Sequence, residues 1–427
     1  MFELSRETVE PRARSSAAWL AKRGLGPGDR VAVVAENVPG FVPFTLGALR
    51  SGIVPVLVNV HLSKAERDRI IADADPAFVV EDFPDEASSI DIADVPLARP
   101  MHYTSGTTGL AKGVWSGVLS EDEAHALADD ERDLWSAEGG DTIIVCSPLY
   151  HSAPHRITIS ALLAGARVLL FERFDANAIV GAFREATGAF LVPTHLRRLL
   201  AAGLEAPKAK RVLHAGEPCP EPLKRAALDA IGPLWEFYGS TEGQFTMCSP
   251  DEWRERPGTV GRARPGRELS IRDDLIYVTP PSFARWEYWR DPDKTAKAWQ
   301  DVPTRGGRVA RSFTVGDHGH LDGDGYLFID GRREDLIISG GVNVYPAEVE
   351  RVLEAHSGVH EVAVFGVPDN EFGQRVCAAI VGDADLDELK TWARARLPGS
   401  HAPKSYVRVE ALPRTATGKI KRADLAS

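Results

Sequence analysis

Residues 103–113, YTSGTTGLAKG, hold the densest set of groups in the chain able to grip an anion. Gly106 and Gly109 can adopt left-handed backbone angles and approach a ligand closely. Successive amide N–H groups in such a turn form an anion-binding nest. Thr104, Ser105, Thr107 and Thr108 supply hydroxyls, and Lys112 supplies a mobile positive charge. The device suits polyphosphate. It departs from the Walker pattern, because no Lys-Ser/Thr pair directly follows the second glycine. A polar surface loop of Ser/Thr turns is the plainer alternative.

WEFYGSTEG, at 235–243, brings an aromatic ring, a glycine turn, hydroxyls and a carboxylate within a few residues. Tyr238 can stack on a base, Thr241 can touch phosphate, and Glu242 can hold Mg²⁺ through oxygen. A strand end followed by a Ser-Thr-Glu helix cap is the rival reading. Four further segments carry candidates: PLYHSAPH with His151, VLHAGEPCP with Gly216 to Pro218, FTVGDHGHLDGDGY with Asp317, and PRTATGKIKR with Lys419. Taken singly, each has an ordinary structural reading: a packing histidine, a turn, an Asp-Gly loop, a solvated basic tail.

Taken together and in this order, the segments resemble the adenylate-forming (AMP-binding) superfamily, and within it the acyl-CoA synthetases and fatty-acyl-CoA ligases. The resemblance runs from the first helix to Lys419. It implies that Thr104, Ser105, Gly106, Thr107, Thr108, Gly109 and Lys112 hold the phosphates of ATP. It implies that the backbone of Gly216, Glu217 and Pro218 frames adenine, beside Tyr238, Gly239, Ser240 and Thr241, and that Asp317 and Arg332 grip the ribose. Glu242 is the implied magnesium ligand. Lys419 is the implied lysine of adenylation, with Thr104 and His151 as further catalytic residues. The implied acyl pocket comprises His151, Ser152, Ala215, Phe237, Gly239 and Phe245. These are mostly small or apolar, with no cation to pair a second carboxylate, so a monocarboxylic fatty or aryl acid is expected and Gly239 is read as leaving depth. Glu334 and Asp335 are the implied hinge, and Gly340 and Gly341 face the thiol tunnel. ATP, Mg²⁺ and coenzyme A are the implied cofactors and co-substrates. Ala111, Glu217 and Val315 depart from the usual proline, small residue and threonine of the pattern. The chain is also shorter than usual members at its N-terminus and between residues 113 and 141. Transfer to a separate carrier protein, or acyl-nucleotide binding without catalysis, are the competing functions. Retention of Glu242 and Lys419 argues against the second.

The elements that must position these groups alternate along the chain. A helix is expected at 6–23, then a strand at VAVVAE, a helix near 40–50 and a strand at IVPVLVN. Ser63 and Glu66 have the spacing of a capping box opening the next helix. AFVVED, IIVCS, RVLLFE, AFLVP and RVLHAG read as continuous apolar strands. Such strands alternating with helices predict an α/β domain with mainly parallel sheets. Past residue 260 the texture turns to short alternating strands, a distorted β-rich portion. GRRED reads as a junction, followed by a small α+β domain with two strands and one helix that rotates about the hinge. The boundaries expected are 1–331, 332–335 and 336–427. The acidic stretch 120–141 is expected to be a solvated helix plus loop.

A formal charge of −11 argues against generic nucleic-acid or anionic-membrane binding, so an anionic ligand must meet local donors. Cys146, Cys219, Cys248 and Cys377 are widely spaced and read as reduced thiols of a cytoplasmic protein. MFELSRETVE lacks the pattern of a signal peptide, and no apolar run is long enough for a membrane span. Small molecules are therefore the expected partners, with a homodimer compatible with the pattern.

Overall fold

The computed structural model describes residues 1–84, 88–104, 112–332, 335–414 and 420–426. Ser5 opens the first helix, Arg6–Lys22, as a capping residue, and Ser63 caps Lys64–Ala74 with the reciprocal Glu66 bond. Each cap satisfies backbone N–H groups that the first turn cannot.

Two six-stranded sheets lie in the first part of the chain among the described residues. In one, Arg167–Leu170, Thr142–Val145, Gly188–Leu191, Arg211–His214 and Leu234–Glu236 run parallel, with Phe2–Leu4 antiparallel at the edge. In the other, Phe78–Val80, Arg30–Val33, Val54–Leu57 and Met101–Thr104 are parallel, and Lys112–Trp115 and Glu287–Tyr288 add antiparallel pairs. One apolar cluster serves both sheets. It joins Val31 and Val33 to Ile143, Val145 and Leu213 through Phe41, Phe44 and Ile157. Thus Phe41–Arg50 is buried at every position, which explains why it carries no polar face.

Six of the strands between residues 268 and 332 form a separate antiparallel sheet, from Glu268–Arg272 to Leu327–Arg332, whereas Glu287–Tyr288 joins the second sheet above. A fourth sheet combines Ile337–Ser339, Val342–Val344, Val359–Asp369, Gly373–Gly382 and Ser405–Arg408 over its own core. The large α/β part with mixed sheets and a smaller C-terminal part are as the sequence predicts. The helix Pro346–Glu354 is an addition to the expected two strands and one helix. Pro346 at its first turn, with Val349 and Leu353 one turn apart, is the pattern that marks it.

The acidic stretch departs from expectation. It forms the helix Glu121–Trp135, but Asp130 is only 10% exposed and bonded to Arg264 and Arg267. Glu131 pairs with Arg156 and accepts from the Trp135 indole at 2.7 Å. These carboxylates are anchors for cations behind the helix, and helical periodicity alone hides that, because the partners are distant in sequence.

Candidate active site

The parallel strands end on one side, and the loops leaving those ends carry most of the candidates, the usual ligand location in open α/β sheets. Thr104 and Lys112 are direct cross-strand partners, so they close the base of the phosphate segment. Ser105, Gly106, Thr107, Thr108 and Gly109 lie outside the described residues. Lys112 Nζ is 3.6 Å from Asp291, which caps the helix Pro292–Ala298.

Glu242 lies in a tight turn in which Ser240 and Gly243 exchange backbone hydrogen bonds at 2.8 and 3.2 Å. Its carboxylate is 5% exposed and accepts from the Tyr288 hydroxyl at 2.9 Å. Tyr288 is the cross-strand partner of Val114, two residues beyond Lys112. The buried carboxylate is thereby tied to the strand that leaves the phosphate segment. Among the described residues no cation pairs with Glu242, and no cluster of three metal-ligating side chains occurs. One carboxylate completed by substrate phosphates is the donor set that suits Mg²⁺.

Tyr238 and Asp317 are also brought together. The Tyr238 hydroxyl donates to Asp317 Oδ2 at 2.7 Å, with both residues buried. Phe245 packs edge-on to the Tyr238 ring at 5.1 Å. Asp317 is paired in register with Arg332 across the antiparallel strands Asp317–Leu321 and Leu327–Arg332. The two implied ribose contacts therefore sit side by side on the backbone. Gly216 has φ +99°, a left-handed turn directly after the buried strand Arg211–His214. Glu217 is held from behind, accepting from Thr194 N and Thr194 Oγ1 at 2.9 Å each.

His151 and Ser152 start the helix Ser152–Leu163, and Tyr150 lies against the His151 ring at 4.7 Å. Ala215 and Phe237 share the central core with Phe190, and Trp135 meets Phe237 at 5.6 Å. Two residues assigned to the acyl pocket have other packing roles. Phe245 belongs to a different cluster, against Phe313 and Tyr238, under the nucleotide segment. Gly239 leaves no depth, because a Cβ there would lie 2.6 Å from the Gly243 carbonyl oxygen. Gly239 is needed for close backbone approach in the Glu242 turn.

A buried asparagine escaped the motif reading. Asn37 donates to the carbonyls of Ser147 and Phe171 at 3.0 and 2.8 Å, and accepts from Leu149 N at 2.8 Å. It fixes the segment that leads to His151. The signal was a lone amide directly after a buried strand. His155, on the same helix, is held neutral by burial, its pKa pushed down to about 3, and bonds Thr45 at 2.9 Å. Cys146 is likewise inert, its thiol pushed up to about 12 by burial. All four cysteines are free.

Asp335, of the expected hinge, is 3.3 Å from Arg422, whereas Glu334 lies outside the described residues. Gly340 and Gly341 form the two-residue turn between Ile337–Ser339 and Val342–Val344, both with positive φ (59° and 78°). Lys419 lies outside the described residues, between Arg414 and Ile420, which are bridge partners.

Comparison with known proteins gives the family and the fold. The AMP-binding enzyme model matches residues 3–98 and 100–281, and the AMP-binding enzyme C-terminal domain matches 348–419. A 2-succinylbenzoate–CoA ligase of Bacillus pumilus is 30% identical, over 96% of this chain and 90% of that protein. A long-chain-fatty-acid–CoA ligase of Mycobacterium tuberculosis is 29% identical, over 97% and 90%. The solved structure of o-succinylbenzoate CoA synthetase from Bacillus subtilis, in complex with the acyl-adenylate intermediate OSB-AMP, superposes with TM-score 0.85 at 26% identity, covering 98% of this chain and 92% of that one. The chain belongs to the AMP-binding enzyme family, the adenylate-forming superfamily. Its enzyme class is that of the ATP-dependent, AMP-forming acid–CoA ligases.

Proposed function

We propose that this ligase activates a monocarboxylic fatty or aryl acid of medium size or larger and transfers it to coenzyme A. A substrate carboxylate oxygen attacks the α-phosphorus of ATP, and pyrophosphate leaves. The thiol of coenzyme A then attacks the acyl carbon, and AMP leaves. Little covalent chemistry falls to the protein, which positions two anions and neutralises growing charge.

The observation that carries the reading is the pairing of Tyr238 with Asp317 and of Glu242 with Tyr288, which ties segments of three sheets together. Tyr238 offers a ring beside adenine and Asp317 accepts from ribose hydroxyls, with Arg332 beside it. Gly216, Glu217, Pro218, Gly239, Ser240 and Thr241 surround the nucleotide with backbone and hydroxyl donors. Glu242 would hold Mg²⁺, which supplies charge neutralisation at the phosphates. Thr104, the segment 105–109 and Lys112 receive the pyrophosphate end, and Lys419 stabilises the α-phosphate in the transition state. The small domain, 336–427, turns about 332–335 and brings Gly340 and Gly341 toward the thiol. A hinge at element ends is a usual way to serve two steps with one site.

For the acid, His151, Ser152, Ala215 and Phe237 remain the wall. Two cations of the large part, Arg156 and Arg197, are engaged by Glu131 and Glu361. A second carboxylate buried there would lack a counter-charge, which is costly. Free cysteines fit a reducing compartment such as the cytoplasm. The test is pyrophosphate release, with and without coenzyme A, over fatty acids, aryl acids, 2-succinylbenzoate and malonate. Fatty or aryl monoacids with thioester product are expected. Malonate as the best substrate would sink the assignment of the acid.

A further inference from the structure

One charged network outside the nucleotide site closes on itself. Thr194 and Arg197 stand on one helix, Pro193–Ala201, that leaves the end of the strand Gly188–Leu191. Thr194 holds Glu217 Oε1 through two 2.9 Å bonds, which leaves Glu217 Oε2 facing Arg414 at 3.6 Å. Arg414 Nη2 reaches Glu361 Oε2 at 3.1 Å, and Glu361 Oε1 accepts from Arg197 Nη1 at 2.7 Å. The ring runs helix, Glu217, Arg414, Glu361, Arg197 and back to the helix. Its charges alternate and sum to zero. Thr194, Arg197 and Glu217 belong to the large part of the chain, and Glu361 and Arg414 to the small part.

The side chains are 18–36% exposed, so each pair lies between the surface and buried regimes. An isolated exposed pair contributes little, and a network shares partners so that one reversal breaks several contacts. A contact of that strength can bias two arrangements without freezing either one.

Two further facts connect the ring to the reaction. Arg414 bridges Ile420, and Lys421 N donates to Pro413 O at 2.8 Å, so both bonds close the base of the segment ending in Lys419. Glu217 lies in the loop assigned above to adenine, directly after Gly216 with its positive φ. We propose that Arg197 and Glu217 are positioning residues for adenylation: they clasp Glu361 and Arg414 and set the arrangement that presents Lys419 to the α-phosphate. The proposal rests on the two-step reading above. It adds that the adenine loop itself holds the small domain in its adenylating position.

The test separates the half-reactions. Arg197→Glu opposes Glu361 directly, and is expected to slow pyrophosphate release at least tenfold while thioester formation from supplied acyl-AMP changes less than twofold. Arg197→Lys should retain most of the adenylation rate. Raising salt from 0.05 to 0.5 M should slow wild-type adenylation several-fold and leave Arg197→Gln nearly flat, as screening of partly exposed charges requires. Equal loss of both half-reactions would mean a merely structural contact and would overturn the proposal, as would no loss. A readout independent of turnover uses dyes on Glu205→Cys and Glu371→Cys, one in each part. Arg197→Glu should at least halve the population at the docked dye distance, and an unchanged distribution overturns the clasp. If wild-type protein releases no pyrophosphate with any acid, the reaction assignment fails, whereas the dye measurement still decides the clasp.

Discussion

The proposed nucleotide site and the contact with the small domain are built from opposite materials. At the first, buried residues meet through neutral-to-charged hydrogen bonds: Tyr238 with Asp317 at 2.7 Å and Tyr288 with Glu242 at 2.9 Å. At the second, the charged side chains are partly exposed and bonded as ion pairs. Buried donors aimed at a carboxylate are pre-organised and expensive to disturb. Partly exposed ion pairs are weak and separable. On the proposed two-step reading, a site that keeps its shape in both half-reactions suits the first, and a surface that parts between them suits the second.

The largest effect should come from Lys419, the proposed lysine of adenylation. Lys419→Ala is expected to lower adenylation by about a hundredfold to a thousandfold, the scale of removing one charge-stabilising donor. Thioester formation from supplied acyl-AMP should persist. Single-turnover measurement of each half-reaction checks this, and parallel loss in both would break the contrast between a fixed site and a parting surface.

Next is Glu242→Gln. An amide is a poor substitute for a carboxylate ligand of a hard cation. ATP use should fall about a hundredfold, with a raised magnesium requirement, while the melting temperature moves little. Magnesium titrations at fixed ATP provide the measurement, and unchanged turnover would place the metal elsewhere.

Gly239→Leu sharpens the same side of the comparison. The tight turn admits no Cβ, so the expected outcome is destabilisation of about 1–3 kcal/mol and loss of activity with every acid alike. Denaturant unfolding together with a chain-length profile checks it. A selective shift toward shorter acids would restore the reading of Gly239 as pocket floor.

These two regions also differ in how far the sequence reveals them. The residues proposed for the nucleotide lie in short contiguous strings, YGSTEG and GDHGH, where residue type and turn chemistry are local facts. The sequence therefore indicated Tyr238, Glu242 and Asp317 before their contacts were known. The contact Tyr238–Asp317 itself spans distant segments and could not be read. The acyl pocket was legible only in part, since Gly239 and Phe245 have suitable types but face the turn and a second core. The clasp was not legible at all. Arg197, Glu217, Glu361 and Arg414 resemble any surface charges until the fold juxtaposes them. Glu217 stood out only as a departure from a pattern. The helix Pro346–Glu354 was missed for a related reason: it is short, and its apolar positions are few.

That helix carries the smallest predicted effect. Glu354, near its end, has its carboxyl pushed up to about 8, chiefly by burial, then by Glu350. Arg197 of the large part and Arg351 oppose the shift, and Glu361 adds to it. Its neighbours therefore include two members of the clasp. A carboxyl whose docked pKa exceeds its free value, 4.5, binds its proton more tightly when docked. Docking is then favoured at low pH and weakens as pH rises between the two values, with no further loss above the higher one. If undocking frees Glu354, wild-type adenylation should decline by about threefold to tenfold relative to thioester formation between pH 6.5 and 8.5. Glu354→Gln mimics the protonated side chain, so its ratio of half-reactions should be flatter over that range and resemble the wild type at the acid end. Arg197→Gln should steepen the dependence, because it removes the cation that favours the charged form. Measuring both half-reactions at each pH cancels the titration of substrates common to the variants. An equal slope in wild type and Glu354→Gln would show that the proton is held by the small domain alone, and that the clasp is insensitive to it.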